Sequence, residues 1–80
     1  MKADLKAYTQ LLIEPLAEYP AAVKISSVLG RQTTVLEIRC DARDLGRLIG
    51  RSGRTIGAIQ ILVSSLAARE KQRVVVEIVQ

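Results

Sequence analysis

The chain has 80 residues, 49% hydrophobic and 25% charged, with 12 Lys and Arg against 8 Asp and Glu for a net charge of +4. This is the balance of a globular protein, which argues against disorder, and its length is that of one small domain burying about 60% of its unfolded surface. With no His and a single cysteine, Cys40, it has no zinc set, internal disulfide or Cys–His nucleophile; it suits a reducing compartment, and a cytoplasmic protein with no metal and no cofactor is expected.

The N-terminal MKADLKAYTQ lacks the apolar stretch of a signal peptide. Leu5, Tyr8, Leu12 and Leu16 recur at helical spacing, with Leu11 beside them, and predict an amphipathic helix over about 3–18. Pro15 should kink it or open a second short turn, and Tyr19-Pro20 should end it, because the residue before proline avoids the helical region. VKISSVLGRQTTVLEIRC predicts two strands around a turn at Gly30-Arg31-Gln32. Leu36, Ile38 and Cys40 then share one face, and Val35, Glu37 and Arg39 the other. Asp41 or Asp44 can cap a short helix through Leu48, and a longer helix runs from about Gly53 to Arg69 with Ile56, Ile59, Val63, Leu66 and Ala67 on one face. RVVVEIV closes the chain as a third strand rich in β-branched residues. The longest uncharged run, 55–68, is too short and too polar to cross a bilayer, so no membrane partner is expected. The order α-β-β-α-α-β predicts an α+β domain over 1–80, with helices on one face of a three-stranded sheet.

RLIGRSGRTIG at 47–57 concentrates flexibility and charge. Gly46, Gly50, Gly53 and Gly57 are four of the five glycines, and Arg43, Arg47, Arg51 and Arg54 are four of the twelve basic residues. Glycines between helices most often only permit a sharp turn, and an arginine cluster alone is more often a solvated face. Together they offer more. A Gly50-Arg51-Ser52-Gly53 turn lets bare backbone approach a ligand, and the amides of the following helix N-terminus carry partial positive charge. Arg51 and Arg54 add full charge there, and Arg43 and Arg47, four residues apart, extend it along one side. Enzyme readings fare badly: the turn lacks the spacing and lysine of a P-loop, and helix starts explain Asp41 and Asp44 better than a carboxylate pair does. No catalytic residue is expected.

Ile49-Gly50-Arg51-Ser52-Gly53-Arg54-Thr55-Ile56 resembles the I-G-x-x-G-x-x-I signature of the KH domain, and the element order matches the bacterial type II form. IEPLAEYPAAV, DLGRLIG and RVVVEIV extend the resemblance over nearly the whole chain, to the small single-KH RNA-binding proteins of the KhpA type. The resemblance implies a type II KH fold. It also implies a non-catalytic protein that clamps single-stranded RNA by its backbone on Gly50, Arg51, Ser52 and Gly53, with Arg47 and Arg54 on phosphates, acting as a post-transcriptional regulator or RNA chaperone. By the same resemblance Leu48, Ile49 and Ile56 anchor the two helices from beneath, and Val35 or Leu36 helps floor a groove for the bases. With only Tyr8 and Tyr19 as aromatics, base preference should be modest. Two alternatives stand beside this: a protein-interaction module with incidental nucleic-acid binding, and a single-stranded DNA binder.

The helix after the turn carries no charge over 55–68 even where the core does not need its side chains. At about 100° per residue Gly57, Ala58, Ile61, Ser64, Ser65 and Ala68 fall away from the core face. Small residues around one large Ile61 let a second helix approach, so a homodimer is expected through this face. A heterodimer with a larger KH-containing protein of the Jag type, with which similar proteins are associated, is compatible with the same surface.

Overall fold

A computed structural model describes residues 4–79. Asp4 accepts a hydrogen bond from the Ala7 N–H (3.0 Å) and so caps α1 (Leu5–Ile13). Ala3, at the predicted start of this helix, lies outside the described residues. The buried side of α1 is Leu5, Thr9 and Ile13, flanked by Tyr8 and Leu12 packed on the core. Thr9 is tolerated there because its hydroxyl donates to the Leu5 carbonyl at 2.7 Å. Leu11 points to solvent at 70% exposure, and Leu16 lies beyond the helix, 39% exposed. Pro15 has no N–H for the helical ladder, so the chain tightens into a 3-10 turn (Glu14–Leu16); a second turn (Pro20–Ala22) follows Tyr19.

The sheet has three strands in the order β1 (Lys24–Leu29), β2 (Thr33–Arg39) and β3 (Arg73–Ile78). β1 and β2 form an antiparallel hairpin, whereas β2 and β3 run parallel. Parallel neighbours need a crossover, and here it comprises a 3-10 turn (Ala42–Asp44), α2 (Leu45–Ile49), a glycine turn and α3 (Arg54–Arg69). Alternation is clean in β2, where Leu36 and Ile38 are 1% and 0% exposed while Val35, Glu37 and Arg39 turn to the other side of the sheet. Helices cover only the first side.

α3 buries Ile59, Val63 and Ala67 against that side, with Ile56 and Leu66 at the margins. These are the five residues predicted for its core face. The remaining core comes from Ile13, Val23, Ile25, Leu48, Val74 and Val76, all aliphatic. Cys40, just past β2, is half-buried against this core. Among the described residues no helix is long and apolar enough to cross a membrane.

Candidate nucleic-acid interface

Three of the four residues in the Gly50-Arg51-Ser52-Gly53 turn have positive φ: Gly50 at 78°, Ser52 at 56° and Gly53 at 74°. Gly50, with ψ of 168°, occupies a region open essentially to glycine alone. A Cβ there would also meet Thr55, 2.7 Å from its backbone nitrogen. The Gly50 N–H closes α2 on the Gly46 carbonyl (2.9 Å), and the Gly53 N–H returns to the Gly50 carbonyl (3.1 Å). The turn is thus defined by its own backbone. Its left-handed Ser52 carries a conformational cost that no local packing requires, since that side chain is exposed.

α3 starts straight from this turn with no side-chain cap; the Arg54 N–H bonds back to the Arg51 carbonyl, and the amides that follow it in the first turn have no partner from within the helix. Arg51, Ser52 and Arg54 are exposed around them, and Gly50 and Gly53 are half-buried. Neither arginine takes part in an ion pair among the described residues. Arg47, on α2, approaches Glu18 at 3.7 Å, both side chains being more than half exposed, a contact weak enough to yield to a phosphate. The sequence expectation for this cluster needs one correction. Arg43 does not extend it: its guanidinium makes two 2.9 Å hydrogen bonds to the Asp41 carboxylate and lies 3.6 Å from the centroid of the Tyr19 ring. Hydrogen bonds from the Arg43 side chain and backbone hold the Asp41 carboxyl at about 2.

Asp44 immediately precedes α2, but its side chain does not cap that helix. The fully buried carboxylate accepts from the N–H groups of Glu18 and Tyr19, each at 2.9 Å, while Asp41 caps the preceding 3-10 turn. Asp44 therefore ties the α1–β1 connection to the segment that carries α2 and the glycine turn. Burial, reinforced by the carboxylates of Asp44 and Asp41, pushes the Cys40 thiol up, away from the thiolate form a nucleophile needs.

Below the turn lie α3 and the free edge of β3. Gln60 spans that edge: its Nε2 donates to the Val74 carbonyl (3.0 Å) and its Oε1 accepts from the Val76 N–H (2.6 Å). One carboxamide thus meets two backbone groups that would otherwise invite another strand. Ser64 lies beside it, with its hydroxyl 3.5 Å from the Val74 carbonyl. The only hint of Gln60 in the sequence is an amide next to Ile59, close to the core face of the helix. The residues suggested for the groove floor are placed elsewhere: Leu36 is buried in the core, and Val35 faces the side of the sheet without helices. Ile56 packs on the core as expected, Leu48 is fully buried, and Ile49 is half-buried at the end of α2.

The outward side of α3 carries Ile61 at 67% exposure and Leu62 at 47%, with Ala58, Ser65 and Ala68 also exposed. Leu62 enlarges the apolar patch expected around Ile61. Gly57 is half-buried, and Ser64 turns toward β3 rather than outward.

Two helices joined by a GXXG turn, laid on one face of a mixed three-stranded sheet, define a KH domain. The chain belongs to the KhpA/KhpB KH-domain family, whose model matches residues 6–78. It is 33% identical over 75 residues to the RNA-binding protein KhpA of Clostridium perfringens, covering 94% of this chain and 100% of that one. It is 37% identical over 76 residues to the protein of the same name from Chlamydia pneumoniae, covering 95% and 97% respectively. Among solved structures, Aquifex aeolicus Era bound to GDP and aluminium fluoride aligns with a TM-score of 0.65 at 16% identity, over 94% of this chain and 30% of that one. At that identity the likeness shows the fold alone.

Proposed function

We propose that this protein is a non-catalytic, cytoplasmic RNA-binding protein, a post-transcriptional regulator or RNA chaperone, that holds a single strand by its sugar-phosphate backbone at Gly50-Arg51-Ser52-Gly53. The observation that carries the reading is the turn itself: left-handed Ser52 and Gly53 lead directly into a 16-residue helix with no side-chain cap, with Arg51 and Arg54 exposed beside it. The RNA-binding relatives match it over nearly their whole length, which favours RNA over single-stranded DNA and over a purely protein-docking role. Arg51 and Arg54 meet phosphates, Arg47 exchanges Glu18 for a third, and Ile49 and Ile56 fix the two helices that flank the turn.

Two or three neutralised phosphates give a slope of log K against log salt of roughly −1.4 to −2.1 for a single strand, from about −0.7 per phosphate. Titration of single-stranded RNA and its duplex across a salt series tests this. Equal affinity for both, with no preference for the unpaired strand, would leave only a basic patch and sink the clamp.

The apolar side of α3 favours a second role for that helix as a dimer contact. Ile61 and Leu62, surrounded by Ala58, Ser65 and Ala68, suit a two-fold approach of another α3, from a second copy of this chain or from another KH-domain protein.

A further inference from the structure

The two edges of the sheet are finished differently. On β3 the Gln60 carboxamide occupies the Val74 carbonyl and the Val76 N–H. On β1 the cover stops early. The Gly30 N–H donates to the Thr33 carbonyl at 2.9 Å, and β1 pairs with β2 without a bulge from Leu29↔Thr34 to Lys24↔Arg39. The even-numbered residues of β1 therefore turn their N–H and C=O groups to β2, and the odd-numbered ones turn theirs to the free edge. Val23 follows this alternation, since its carbonyl accepts from the Gln10 side chain of α1 at 3.3 Å, and Ile25 next along the edge is buried. Past Ile25, no hydrogen bond from outside the sheet reaches Ser27 or Leu29 among the described residues.

Open edges are ordinarily guarded by a proline, a bulge or a charged side chain. Ser27-Val28-Leu29 has none of these, and Lys24 stands where α1 already covers the strand. The same stretch is apolar, with Val28 at 50% exposure and Leu29 at 79%. Val28 faces the side of the sheet without helices, in one row with Val35 and Val75. Leu29 faces the other side, at the end of β1 that the helices leave uncovered.

Charge selects the occupant. Residues 19–36 contain no Asp or Glu, and Lys24 and Arg31 bracket the open stretch. Both are exposed, and neither takes part in an ion pair among the described residues. A second copy of β1 would bring two more cations to this edge and no acid, whereas a strand of opposite charge is complementary to it.

We infer that the β1 edge at Ser27-Val28-Leu29 is a docking site for an extended acidic peptide of another protein, which joins the sheet as a fourth strand. Its main chain pairs with the outward groups of Ser27 and Leu29, two apolar side chains cover Val28 and Leu29, and carboxylates meet Lys24 and Arg31. β1 and β3 are opposite edges of the sheet, so this site is separate from α3 and independent of the RNA reading.

The test uses the full chain and a synthetic peptide of about eight residues, with two Val at its centre, Thr on either side and two Glu at each end. Ser27→Pro removes an outward donor and fills the edge with its ring, at a position where the sheet itself loses no hydrogen bond. Leu29→Glu keeps the backbone intact and sets a like charge against the peptide, so it carries the test if the proline variant does not fold; circular dichroism and a urea melt show which variants are folded. The expected result is slowed hydrogen exchange at the Ser27 and Leu29 amides of the wild type with peptide, and calorimetric affinity weakened by about tenfold or more in each folded variant. Affinity for single-stranded RNA should be unchanged. No binding of the peptide to wild type at millimolar concentration would overturn the site, as would wild-type peptide affinity in the folded variants. Equal binding of a peptide with Ser in place of both Val would also overturn it, leaving charge attraction alone, and displacement of the peptide by short single-stranded RNA would do so by placing the peptide at the nucleic-acid interface. An Ile61→Arg protein that still self-associates, and ceases to on addition of Ser27→Pro, would overturn it in favour of a second copy.

Discussion

Asp44 offers a quantitative test of how the glycine turn is held. Its carboxylate is fully buried and accepts two hydrogen bonds, from the Glu18 and Tyr19 amides at 2.9 Å each. Hydrogen bonds to a charged group are each worth about 1.5–3 kcal/mol, a gross contribution of roughly 3–6 kcal/mol, which the cost of burying the carboxylate reduces. Asp44→Ala, which also leaves two partly buried N–H groups without their acceptor, should therefore destabilise by about 2–4 kcal/mol. Asp44→Asn preserves the shape and one acceptor but turns an amide N–H₂ toward the second donor, and should cost about 1–2 kcal/mol. At roughly 0.05–0.15 kcal/mol per residue the whole domain has about 4–12 kcal/mol, so the alanine variant loses a large share. For a domain of this size about 1 kcal/mol lowers the melting temperature by about 4–8 °C. Urea denaturation at neutral pH, with the m-value compared between proteins, measures both changes. Alanine and asparagine variants that both stay within about 0.5 kcal/mol of wild type would refute the claim that Asp44 anchors the α1–β1 connection.

Gly50→Ala forces a side chain into glycine-only backbone space and against Thr55, so it should cost about 1–3 kcal/mol and weaken single-strand binding more than Gly46→Ala, where a Cβ meets nothing within 4 Å. Parallel melts and RNA titrations of the two variants decide this. Ile61→Arg places a charge at the centre of the exposed apolar side of α3 and should give a folded monomer with its turn intact; light scattering that finds wild type monomeric at high micromolar concentration would end the homodimer reading. Asp41 has an ordinary value of 3.8 and is held at about 2 by Arg43. Because the folded value is depressed, its contribution is present above about pH 4 and is lost as the pH falls through about 2. An NMR titration should find this low value in wild type and a higher one, still below 3.8, in Arg43→Gln, where the guanidinium is gone but the backbone N–H of residue 43 still bonds to the carboxylate.

The parts of the fold that were legible depend on short-range periodicity. The two-residue alternation around Leu36 and Ile38 and the helical spacing of Ile56, Ile59, Val63, Leu66 and Ala67 each predict one buried face, and the packed sheet and α3 bear them out. The glycine turn was legible for a similar reason, since its positions encode backbone conformation directly. What escaped is set by tertiary geometry. Asp44 bonds to amides 25 and 26 residues away, and Gln60 to a strand edge 14 and 16 residues on, so no local pattern announces either. Leu16 shares the helical period of Leu12 but lies past the last turn of α1, where Pro15 has already altered the backbone. Arg43 does not share a helix with Arg47: it sits in the 3-10 turn before α2, and a carboxylate two residues back claims its guanidinium first.

The proposed grip of the glycine turn on a single-stranded RNA backbone is tested most directly by the variant Arg51→Asp with Ser52→Asp. Both side chains are exposed and the positive-φ glycines remain, so two negative charges enter the phosphate seat with the surrounding core untouched. A urea melt and circular dichroism establish that the variant is folded, and titration with a short single-stranded RNA reads the seat. The account predicts loss of detectable binding in a folded protein; wild-type affinity in that folded variant would contradict it.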